Sequence, residues 1–181
     1  PDGIIAAKGN HDRLRMREYL RRHPTIHYLD RSPWVLEREG ARLAFVAARK
    51  DPSIIRERAE SDIRRISMTL DSNAGFRVLI AHWPDYFPAA KREKFDLVLA
   101  GDTHGGQIRF PWIGAVKRKT NLPARYAYGL HREDDTTLYT TSGIGTRTVP
   151  MRFLCPPEIV VFELRRTGPC ALKAKIALDK T

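Results

Sequence analysis

Leu97-Val98-Leu99-Ala100-Gly101-Asp102-Thr103-His104-Gly105-Gly106 sets an unbroken apolar run directly against a polar, glycine-flanked cluster. Such a run reads as a strand buried on both faces, and its abrupt end puts a carboxylate and an imidazole where the chain leaves the sheet. The same construction occurs twice more. Ile4-Ile5-Ala6-Ala7 leads into Gly9-Asn10-His11-Asp12, and residues 76–81 end at His82-Trp83-Pro84-Asp85. Strand ends of one sheet converge on one edge, so the three clusters could share a site although they lie far apart in the chain. Imidazole, carboxylate and amide oxygen together suit divalent Mn, Fe, Zn or Co better than Ca or Mg. Neighbouring glycines let backbone approach a metal or a phosphate closely. A lone histidine at a strand end is ordinarily a hydrogen-bonded surface or core residue, and Asp12 and Asp102 could be simple caps. The repetition of the pattern is what argues for a metal site.

Outward from these clusters, short apolar strands alternate with helical stretches, which predicts an α/β or layered α+β domain. Asp12 reads as the N-cap of a basic helix over residues 13–22. Val35 and residues 43–47 suggest a hairpin turning near Glu39-Gly40. Asp51-Pro52 reads as a helix start, and Ile55, Ala59, Ile63, Ile66 and Leu70 follow on one helical face, with Arg56, Arg58, Arg64 and Arg65 opposite. Residues 138–141, 159–162 and 171–178 read as later strands. Residues 111–135 read as one long irregular stretch, which marks them as a functional candidate.

The 181 residues suit a single domain and carry 42% hydrophobic and 29% charged residues, an ordinary globular balance. The net charge of +11 favours anionic partners. Cys155 and Cys170 are too few for a disulfide framework and lack a CxxC metal spacing. No apolar run is long enough to span a bilayer.

Gly9-Asn10-His11-Asp12, His82 and Gly101-Asp102-Thr103-His104 together resemble the second half of the calcineurin-like metallophosphoesterase signature, which runs DxH, GDxxD, GNHD or GNHE, a single His, then GHxH. Residues 97–111 and the Gly143-Ile144-Gly145-Thr146 to Pro150-Met151-Arg152-Phe153 stretch resemble its bacterial membrane-associated phosphodiesterase branch. The resemblance implies the four-layer αββα sandwich of that family, as one domain over residues 1–181 with the N-terminal part of the fold missing. It implies hydrolysis of a phosphoester, a diester or pyrophosphate bond in a cell-envelope or nucleotide-linked lipid, with two divalent cations, Mn or Fe, or Zn in their place. Asn10, His82 and Asp102 would bind the second metal and His104 the first. His11 would be the catalytic histidine, with Asp12 holding its other ring nitrogen. Arg109 and Arg152 are candidates for substrate phosphate. Asp102 replaces an imidazole of GHxH, which adds negative charge and favours harder Mn or Fe over Zn.

The DxH and GDxxD segments, with the bridging carboxylate, are absent from the sequence, which opens at Pro1 and reads as a piece of something longer. The piece alone is therefore expected to be inactive. Residues 107–132 hold Arg109, Lys117, Arg118, Lys119, Arg125 and Arg132 without an acidic residue. They read either as a solvated loop or as a rim for a phosphorylated small molecule or lipid, or for an anionic membrane surface. Two other classes stand beside the hydrolase: a basic nucleic-acid-binding module and a non-catalytic scaffold with Asp102 as its lesion. No RRM, KH, zinc-finger or recognition-helix pattern supports nucleic acid as the partner.

Overall fold

The computed structural model describes residues 2–30, 32–48, 56–71, 73, 75–166 and 172–175. Its framework is a six-stranded mixed sheet. The strands β3 (Trp34–Arg38), β4 (Ala41–Ala48), β5 (Phe76–Ala81), β6 (Leu97–Ala100), β10 (Thr136–Thr140) and β9 (Gly129–Glu133) lie side by side in that order. The four from β4 to β10 run parallel, and β3 and β9 close the edges antiparallel. Glu39 and Gly40, at φ of 50° and 72°, make the left-handed turn that joins β3 to β4 where the sequence places a hairpin.

The central strands β4, β5 and β6 are mostly apolar because both faces are covered. Val46, Leu79, Val98 and Leu138 face a core formed with α2 (Arg56–Ser67) and α3 (Phe87–Arg92), which contribute Ala59, Ile63, Phe87 and Ala90. Leu43, Phe76, Val78 and Leu97 face the other way and meet Leu164 of β11 (Glu163–Arg166). The helical spacing of Ala59 and Ile63 is thus a true buried stripe, both side chains being buried, whereas Leu70 lies beyond the helix end. The Asp51-Pro52 start and Ile55 lie outside the described residues. Arg77 ties these layers together: its N–H donates to Asp96 Oδ2 at 2.7 Å and its guanidinium to the Glu93 carbonyl at 2.8 Å.

A separate parallel pair, β1 (Ile4–Ala7) and β2 (Ile26–Leu29), is linked by α1 (Leu14–Arg22). It joins the large sheet where the His27 ring stacks on Trp34 at 4.3 Å. The hairpin β7 (Arg109–Phe110) with β8 (Gly114–Ala115), and the pair β11 with β12 (Leu172–Lys175), complete the strands among the described residues. The α/β class stands. Among the described residues the strands outside the large sheet form only these two-stranded pairs, not a second large sheet.

Three readings of the sequence change. Helix α1 begins at Leu14 with Arg13 as its N-cap and no side-chain cap bond, so Asp12 does not cap it. Residues 111–135 are not one irregular stretch, since they hold β8, a 3₁₀ turn at Ala124–Ala127 and β9. Residues 159–162 form no strand; pairing begins at Glu163.

Candidate metal centre

Strand order alone brings two of the three clusters together. Ala81 and Ala100 are partners in the parallel β5–β6 ladder, so the residues after them, His82 and Asp102, leave the sheet side by side. Asp102 Oδ1 lies 3.0 Å from His82 Nε2. The third cluster arrives from the end of β1: Asn10 Oδ1 lies 2.9 Å from the same nitrogen. One imidazole nitrogen thus has a carboxylate oxygen and an amide oxygen around it, on three separate strand exits. The Asp102 side chain is 4% exposed and that of His82 20%.

His104 is placed apart from these three. Its Nδ1 meets the Gly145 carbonyl at 3.2 Å. The loop carrying it is strained: Asp102, His104, Gly105 and Gly106 all have positive φ, from 51° to 86°. Such conformations persist only where surroundings enforce them, and they cluster at functional sites. Here the enforcement is visible. Thr103, buried, donates to the Ala127 carbonyl at 2.7 Å. A Cβ on Gly106 would stand 2.2 Å from the Ala115 Cβ, and one on Gly105 2.7 Å from Cys155 Sγ.

Asp12 does not hold the His11 ring. Its Oδ2 accepts the Gly9 N–H at 2.7 Å, closing the turn that presents Asn10, and His11 stands exposed beside it. The two arginines offered to a phosphate are used otherwise. Arg109 donates to the Gly105 carbonyl at 2.9 Å and lies over the Tyr128 ring. Arg152 donates to the carbonyls of Ser142 at 2.7 Å and Gly143 at 3.0 Å, and also to Gly145. Both brace loops. The Gly145 carbonyl therefore receives Arg152 and His104 together, a supporting contact of the kind that fixes which ring nitrogen of a histidine stays available.

A carboxylate that sequence reasoning passed over holds the far side of this loop. Glu158 accepts from the Ser142 N–H at 2.8 Å and from the hydroxyls of Tyr128, Tyr139 and Thr141. Burial pushes its carboxyl up, but these four donors together outweigh burial and hold it below the ordinary carboxylate range. Burial, and then the Glu158 charge and hydrogen bond, push the Tyr128 hydroxyl up to about 12. A cavity of about 320 Å³ lies elsewhere, among Leu29, Asp30, Val46, Asp62 and Ile66, and includes none of the donors.

The donor chemistry fits one divalent cation at Asn10, His82 and Asp102. It does not fit two. Among the described residues no three His, Cys, Asp or Glu side chains gather, and the one further candidate, His104, is turned to Gly145.

No family model matches the chain, and neither does any solved structure. Curated proteins do. An uncharacterized metallophosphoesterase of Bacillus subtilis, YkuE, is 36% identical over 93 residues, 51% of this chain and 32% of that protein. The phosphodiesterase YaeI of Escherichia coli is 38% identical over 88 residues, 49% of this chain and 32% of that protein. Over about half of its length the chain is thus similar to proteins named metallophosphoesterase or phosphodiesterase. A further relative, the uncharacterized metallophosphoesterase YkoQ of B. subtilis, extends the likeness at 26% identity over 166 residues, 90% of the chain and 60% of that protein. The chain spans less than two thirds of the length of each of these relatives.

Proposed function

We propose that the whole protein is a metal-dependent phosphoester hydrolase acting on a phosphodiester or pyrophosphate bond. The observation that carries this reading is the meeting of Asn10 Oδ1, His82 Nε2 and Asp102 Oδ1 at three strand exits, in a chain related to metallophosphoesterases. A cation held there would act as a Lewis acid on a phosphoryl oxygen. The chain's own residues have definite parts. Asp12 fixes the Gly9 turn and so aims Asn10. Asp102 supplies the negative charge that neutralises a cation and favours hard Mn or Fe. His11, exposed beside Asn10, can give a proton to the departing oxygen. A second cation needs a bridging carboxylate and further ligands, which polypeptide beyond these 181 residues would supply in cis or in trans. The +11 charge suits a polyanionic substrate such as a nucleotide-linked or lipid phosphodiester.

The test is the whole protein, purified with Mn²⁺ and assayed on a small diester. His11→Ala should lower turnover by about 10²–10⁴-fold, the usual range for a proton-transfer residue, while metal content stays unchanged. Equal loss of metal and turnover would reduce His11 to a structural role. Unchanged turnover would remove it from the chemistry.

A further inference from the structure

The β7–β8 hairpin carries Pro111-Trp112-Ile113 at its tip, and that tip stands clear of the molecule: Trp112 is 102% exposed and Ile113 78%. Val116 follows at 63%. The hairpin is not loose. Its Arg109 N–H donates to the Phe153 carbonyl at 3.0 Å, the Phe153 N–H donates to the Gln107 carbonyl at 3.0 Å, and the Phe110 and Phe153 rings meet at 5.4 Å. Gln107 pins the same neighbour, donating through Nε2 to the carbonyls of Val149 and Met151 and accepting the Arg147 N–H. Exposed Val149, Met151 and Phe153 are thereby held on one surface with the hairpin.

An apolar surface of this kind has to be covered by something. Its charge says by what. The hairpin and the segment pinned to it, residues 107–118 and 147–155, contain no acidic residue, while Lys117 and Arg118 directly follow Val116 and Arg147 opens the pinned segment. A fully projecting indole with cations just behind it matches a headgroup layer: the ring enters the interface and the cations sit among lipid phosphates.

We propose that the β7–β8 hairpin docks this protein on an anionic lipid bilayer. The docking does not depend on the hydrolytic reading, but it sets the donor cluster near the membrane. Trp83, next to His82, donates its indole N–H to the Lys119 carbonyl, and Asp85 accepts from Thr120 Oγ1 at 2.7 Å and Asn121 N–H at 2.8 Å. The basic segment is therefore tied to the strand exit that bears His82.

The experiment is sedimentation of the chain with vesicles of phosphatidylcholine alone or mixed with phosphatidylglycerol, with tryptophan emission read in parallel. Binding is expected to the anionic vesicles, with a blue shift quenched by brominated lipid. Trp112→Glu, and Lys117→Glu with Arg118→Glu, should each weaken it by about tenfold or more, and raised salt should weaken it too. Trp112 is wholly exposed, so unchanged circular dichroism should accompany the loss. Equal binding to neutral vesicles, or undiminished binding by Trp112→Glu, would overturn the proposal. So would self-association abolished by Trp112→Glu with no vesicle binding, which would give the surface to a second copy of this chain.

Discussion

Asp102 combines a left-handed backbone at φ 58° with a carboxylate buried against His82, and both features have consequences. Asp102→Asn keeps the shape and removes the charge. Its Mn²⁺ affinity should fall by at least about tenfold, since even the loss of a supporting partner of a ligand costs that much; titration calorimetry reads it. Glu158 offers a second test. Its folded pKa lies below the unfolded value, so the stability it lends is fully present above the ordinary carboxylate range and is lost as pH falls through the folded pKa. Glu158→Gln should therefore melt below the parent at pH 7, and the gap should close as the pH falls below the ordinary carboxylate range. A gap independent of pH would mean that the carboxylate charge is irrelevant to the Tyr128, Tyr139 and Thr141 contacts. At this scale Asn10, His82 and Asp102 were legible because an apolar run ending in a polar cluster is a local pattern. The work of Asp12, Arg109 and Arg152 was not, because their partners are backbone N–H and carbonyl groups, which have no sequence signature.

The β6 exit loop and the β7–β8 hairpin are packed as one element. Gly106 is at φ 86°, and a Cβ there would overlap Ala115. Gly106→Ala should cost about 2–4 kcal/mol in denaturant unfolding, the sum of overpacking and left-handed strain. Adding Ala115→Gly should recover part of this loss but not all, because the φ remains. Full recovery would show that only the side-chain overlap mattered. The strands β4, β5 and β6 follow from apolar runs, and α2 from its helical stripe. The hairpin, β9 and the turn at Ala124–Ala127 do not. They are short and lack an extended apolar run, and they are held by contacts such as Thr103 with Ala127 and Trp83 with Lys119, made by residues distant in the chain.

Over the whole molecule, the parallel centre of the mixed sheet gathers His82 and Asp102 at the carboxyl ends of β5 and β6, as open α/β sheets do, while Asn10 comes from the end of β1 in the separate strand pair. The resemblance to metallophosphoesterases extends further than the donors that gather: three side chains meet where one cation would sit, and among the described residues a second would find only His104. Two cations held close repel each other unless a carboxylate lies between them. The chain should therefore bind a single cation and fail to turn over substrate by itself. Titrating the 181 residues with Mn²⁺ while assaying a small phosphodiester tests this most directly. The account predicts about one ion per chain, lost in Asp102→Asn, with almost no hydrolysis until a polypeptide bearing DxH and GDxxD is supplied. Two tightly bound ions with robust turnover, or binding indifferent to Asp102, would contradict it.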